Sequence, residues 1–129
     1  MNKTIFCALL ALCLAACGGG GADQGVTTPN PLAVSPASLT LTGSTTQCPS
    51  GTVDANFTIT GGLPPYSIKP SLPDIMVLST GSVGADGGHF TLIQLNTNSC
   101  LASATITIED MTGAIVNATI TTALGSTGP

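Results

Sequence analysis

From Val53 to Ile59 every second residue is apolar: Val53, Ala55, Phe57 and Ile59 alternate with Asp54, Asn56 and Thr58. Successive side chains of a strand point to opposite faces, so this period of two writes a half-buried strand and is incompatible with the wider spacing of a helical stripe. The alternation returns in Cys100, Ala102, Ala104, Ile106 and Ile108, with Leu101, Ser103, Thr105 and Thr107 on the other face. Thr-rich outward positions suit a solvated β-surface. Further strands are expected at 38–42, 66–69, 75–79, 90–95 and 114–122. Between them stand Gly61-Gly62-Leu63-Pro64-Pro65, Gly84-Ala85-Asp86-Gly87-Gly88, Asn96-Thr97-Asn98-Ser99 and Asp110-Met111-Thr112-Gly113, which carry the residue types that turns require. No segment carries a helical stripe. About seven short strands with regular turns predict an all-β, Greek-key β-sandwich.

Two segments resemble a known family. Thr60-Gly61-Gly62-Leu63-Pro64-Pro65-Tyr66-Ser67-Ile68 is similar to the GG-x-PPY segment of bacterial immunoglobulin-like domains, where it joins the second and third strands. The run from Ala104 to Ala114 resembles their penultimate strand and the hairpin into the last one. The resemblance covers roughly residues 33 to 122 and implies an immunoglobulin-like sandwich, placed here at 37–124.

Composition enters through the N-terminus. The chain is 43% hydrophobic and only 6% charged, with a mean hydropathy of +0.48, against about a quarter charged in an ordinary globular domain. Part of that imbalance is local. Met1-Asn2-Lys3 is a short basic start, followed by an apolar or small run from Ile5 to Ala16. It has the length and flanks of a secretory signal, and it is too short to span a bilayer as a helix. The run ends in Leu14-Ala15-Ala16-Cys17, which resembles the lipobox of bacterial lipoproteins. The resemblance implies that residues 1–16 are a cleaved signal peptide and that Cys17 becomes the N-terminus with acyl chains on its sulfur. Small residues before the cut admit a peptidase, and the thiol is the nucleophile that takes the lipid. Gly18, where an Asp tends to retain such lipoproteins in the inner membrane, implies the bacterial outer membrane as destination.

Residues 17–36 are mostly Gly, Thr, Pro, Asn and small residues without a period, and read as a flexible tether with an r.m.s. reach of roughly 20 to 25 Å; residues 125–129 read as a loose tail. Loss of Lys3 with the signal leaves Lys69 as the one cation against six acidic residues. A chain without Arg and with so few cations lacks the footprint that neutralises phosphates, which excludes nucleic acid as a partner.

Cys7 and Cys13 lie in the cleaved segment and Cys17 is the lipid site, leaving Cys48 and Cys100. An even pair in an exported chain reads as a disulfide, whereas metal or redox pairs want close spacing such as C-x-x-C. Closing a loop of this size stabilises by about 4 kcal/mol on the chain-entropy estimate. Cys48 is out of phase with Val53 and Ala55, so Pro49-Ser50-Gly51 is expected to form a turn or bulge. With no Trp in the chain, the bridge has no antibody-type packing partner.

Little else carries chemistry. His89 is the one histidine and has no triad around it. Glu109-Asp110, with Asp86 or Asp74, offers hard oxygen ligands, against the plainer reading of a solvated hairpin end whose turn Asp110 fixes. His89, Met76 and Met111 suggest copper only if Met76 leaves the core. No catalytic, metal or cofactor residue is assigned. Phe57, Tyr66 and Phe90 are expected as core anchors. The expected function is that of a non-enzymatic, outer-membrane-anchored lipoprotein presenting an immunoglobulin-like domain to a protein partner in the cell envelope. The alternative is a small periplasmic or surface protein that binds a metal or ligand through Asp86, His89, Glu109 and Asp110.

Overall fold

The computed structural model describes residues 29–128. The expected signal peptide, Cys17 and the tether up to residue 28 lie outside the described residues. Among the described residues there are nine strands and no helix: β1 (Ala33–Ser35), β2 (Ser38–Thr42), β3 (Gly51–Thr60), β4 (Tyr66–Pro70), β5 (Met76–Leu78), β6 (Ser82–Val83), β7 (His89–Leu95), β8 (Ala104–Glu109) and β9 (Ile115–Ala123).

They form two sheets, one ordered β1-β3-β7-β5 and the other β2-β9-β8-β4-β6. Neighbouring strands pair antiparallel except β2 and β9, which run parallel. This is an all-β, two-layer arrangement of the β-sandwich kind, with β1 and β2, adjacent in sequence, placed in different layers. The chain crosses between sheets after β1 at Pro36, a residue with no N–H to give to a ladder.

The period-two residues fill the space between the layers. Phe57, Ile59, Phe90, Leu92, Leu95 and Met76 from one sheet meet Tyr66, Ile68, Ala104, Ile106, Ile108, Ala118 and Ile120 from the other, all buried. Phe57 and Phe90 are register partners across β3 and β7, and their rings stack with centroids 5.0 Å apart and planes 10° apart. Such a pair contributes about 0.5–1.5 kcal/mol beyond the area it buries. Met76 is 1% exposed, a core residue.

Four differences from the expected organisation have physical causes. The domain begins before residue 37: β1 lies inside the segment read as tether, Val34 is buried, and the Gly62 N–H donates to Asn30 O at 2.7 Å. Three residues are too few to show a period, but pairing with β3 orders them. At the other end Gly125, read as the start of a loose tail, donates its N–H to Ser44 O at 2.8 Å. The strand expected from Cys100 begins at Ala104, because the Leu101 N–H is taken by the Thr122 side-chain oxygen at 2.6 Å and Ala102 and Ser103 are exposed. Finally, the bulge in β3 falls between Thr52 and Ala55, just past the expected Pro49-Ser50-Gly51.

Candidate functional site

The strand directions gather three loops at one end of the sandwich. Residues 61–65 join β3 to β4, 84–88 join β6 to β7, and 110–114 join β8 to β9. β1 enters beside them, since Ala33 pairs with Thr60. The chain thus comes into the fold at the loop end and leaves β9 at the opposite one.

Two carboxylates hold these loops together. Asp110 Oδ2 accepts the Leu63 N–H at 2.9 Å, while Oδ1 accepts the Thr112 N–H at 2.8 Å, the Thr112 hydroxyl at 2.6 Å and the Ala114 N–H at 2.9 Å. The Thr112 hydroxyl bond, the Leu63 N–H and the other amides hold its pKa down at about 2, against a smaller opposing effect of burial. Asp86 Oδ1 accepts the Gly61 N–H at 2.9 Å. The Tyr66 side chain is fully buried, and its hydroxyl donates to Gly61 O at 2.7 Å. Burial raises the Tyr66 pKa, helped by the nearby charges of Asp86 and Asp110. Met111 N–H donates to Leu63 O at 2.9 Å, closing the hairpin onto the Gly-Pro loop.

Gly61 and Gly62 are required here by both conformation and space. Their φ values are 69° and 64°, and a Cβ on Gly62 would stand 2.7 Å from Asp110 Oδ2. A Cβ on Gly61 would collide with the carbonyl of Pro31.

The expected turn-fixing role of Asp110 is what the geometry displays, with one correction: the residue is buried, at 6% exposure, and not solvated. The side chains weighed as metal ligands do not converge on one another. Asp86 binds loop backbone, the exposed His89 has Nδ1 2.9 Å from Thr58 Oγ1, and Glu109 lies on the outer face of β8 opposite Ser67 and Ile115. Among the described residues no group of three or more His, Cys, Asp or Glu stands close enough to hold a metal ion.

At the opposite end Cys48 and Cys100 are joined, with Cα atoms 5.2 Å apart, within the span of a disulfide. Cys48 precedes β3 in one sheet and Cys100 precedes β8 in the other, so the bridge staples the two layers. Cys17 lies outside the described residues.

Two features escape the sequence reading. Asp86 serves the Gly61 amide across 25 residues, a pairing that exists only once two loops share one end. Leu63 and Met111, 37% and 67% exposed, come together there for the same reason. β2 is an edge of its sheet, made only of Ser, Leu and Thr. Comparison with known protein families, with curated proteins and with solved structures finds no match for this chain.

Proposed function

We propose that the chain is a bacterial outer-membrane lipoprotein, held by acyl chains on Cys17, that presents its immunoglobulin-like sandwich to a protein partner in the cell envelope and performs no catalysis. The observation that carries this reading is the run Leu14-Ala15-Ala16-Cys17 at the end of an apolar segment that follows a basic start. The way the domain uses its ionisable groups supports it: Asp86, Asp110 and the Tyr66 hydroxyl are committed to loop backbone. The partner meets the uncharged edge of β2, where an added strand would find open ladder groups and no lysine to deter it.

The test is fractionation of cells expressing the wild-type chain and Cys17→Ala, with intact mass of the membrane-bound form. The wild type is expected in outer-membrane fractions, carrying the mass of acyl chains, and the variant in the soluble periplasm. A variant that stays on the membrane to the wild-type extent refutes the anchor. For the partner, Thr40→Lys on the β2 edge is expected to abolish an envelope crosslink that the wild type forms.

A further inference from the structure

The end of the sandwich that receives the chain is also its most apolar exposed end. Five large apolar side chains are exposed among the described residues: Leu63, Ile93, Met111, Ile115 and Leu124. Leu63 and Met111 lie on the two loops that Asp110 ties together, and Ile115 opens β9 beside them. Leu124 follows β9 at the far end and Ile93 lies within β7.

Chain length links this end to Cys17. Pro29 stands twelve positions after Cys17, a contour of at most about 43 Å. The ten residues of β3 span about 33 Å of sandwich. For the Cys48–Cys100 end to face the membrane, that segment would have to run back along the whole sandwich, spending most of its extended length. The loop end, where Asn30 O already binds the Gly62 N–H, needs none of it.

Resting on the lipid-anchor reading, we propose that the loop end is a membrane-contacting surface: Leu63, Met111 and Ile115 seat in the headgroup layer of the bilayer that holds the Cys17 acyl chains. The acyl chains supply the anchorage and the side chains set the orientation, so that β2 stands upright and the disulfide end points away from the lipid. The charge at this end selects the lipid. Asp110 is occupied by loop amides, but Asp86 is exposed and Glu109 half-buried, and lysine is absent from all three loops. Such a surface suits zwitterionic headgroups and is repelled by anionic ones.

The chain contains no Trp, so a single introduced Trp reports its own surroundings. The lipidated full-length protein is prepared as Met111→Trp, Leu63→Trp and Leu124→Trp and reconstituted into phosphatidylethanolamine–phosphatidylcholine vesicles with brominated acyl chains. A blue shift and loss of emission are expected for the first two variants and not for Leu124→Trp, with less quenching when phosphatidylglycerol is added. Co-flotation with the vesicles without quenching at positions 63 and 111 overturns the proposal while leaving the anchor intact. Absence of flotation, with no acyl mass on Cys17, overturns the anchor and this orientation together. A blue shift of equal size before vesicles are added identifies a second copy of the chain as the occupant and also overturns it.

Discussion

The carboxylate of Asp110 accepts the backbone N–H of Leu63 at 2.9 Å, across 47 residues of sequence. Its other oxygen meanwhile closes the turn that Asp110 itself begins, through Thr112 and Ala114. One side chain therefore builds the β8–β9 hairpin and fastens it to the loop between β3 and β4. Every proposal made for the loop end depends on that fastening, because it brings Leu63 and Met111 into one surface.

The fastening makes stability acid-sensitive. The Asp110 carboxyl has a pKa of about 2 in the fold against its ordinary 3.8, so the folded state favours the ionised form. Its contribution is complete above 3.8 and is lost as pH falls through about 2. Asp110→Asn keeps one acceptor oxygen but offers an NH₂ where the second acceptor stood. Urea midpoints are expected to be lower for the variant at neutral pH and to converge with the wild type as pH falls towards 2. Parallel curves would show that Asp110 is not the group that titrates.

Tyr66 supplies the alkaline counterpart. Its pKa is raised above the ordinary 10.0, so the fold favours the neutral phenol; its contribution is complete below 10.0 and is lost as pH rises through the folded value. Tyr66→Phe keeps the buried ring and leaves Gly61 O without the hydroxyl, a cost of about 1–3 kcal/mol. Denaturant titrations are expected to show that loss at neutral pH and a smaller fall in stability above 10.0 than in the wild type.

The long alternating segments were the legible part of the fold, since one buried face forces a period of two: β3 and β7–β9 follow from Phe57, Ile59, Phe90, Ile106, Ile108 and Ile120. β1 and β6, of three and two residues, are too short to carry a period and exist because β3 and β4 offer them partners. Leu101 misled for a different reason. Its alternation with Ala102 is strand-like, but its N–H goes to the Thr122 hydroxyl in place of a backbone carbonyl, and only its C=O still bonds β9, through the Thr122 N–H. At the candidate site, the local role of Asp110 in its own turn was readable from Asp110-Met111-Thr112-Gly113. Its bond to Leu63 and that of Asp86 to Gly61 depend on which loops share an end, which is a property of topology.

The Cys48–Cys100 bridge spans 52 residues, a loop whose closure is worth about 4 kcal/mol in the chain-entropy estimate. Changing both cysteines to Ala is expected to lower unfolding free energy by about that amount, measured by denaturant titration. Alkylation before and after reduction, read by mass, is expected to add label at these two positions only after reduction. Two thiols labelled without reduction in the exported protein would contradict the bridge.

Gly62 and Gly113 separate backbone strain from crowding. Both have positive φ, 64° and 86°, but a Cβ on Gly113 meets nothing within 4 Å, whereas one on Gly62 stands 2.7 Å from Asp110 Oδ2 and 3.1 Å from the Leu32 side chain. Gly113→Ala therefore bears conformational strain alone, about 1–2 kcal/mol. Gly62→Ala bears that strain and must also push away the oxygen that holds Leu63. Gly62→Ala is expected to destabilise the domain more than Gly113→Ala in denaturant titrations. It is also expected to weaken the acid dependence assigned to Asp110, which Gly113→Ala leaves in place. Equal losses in both variants, with the acid dependence unchanged, would show that the loop end yields at Gly62 without disturbing the Asp110–Leu63 bond.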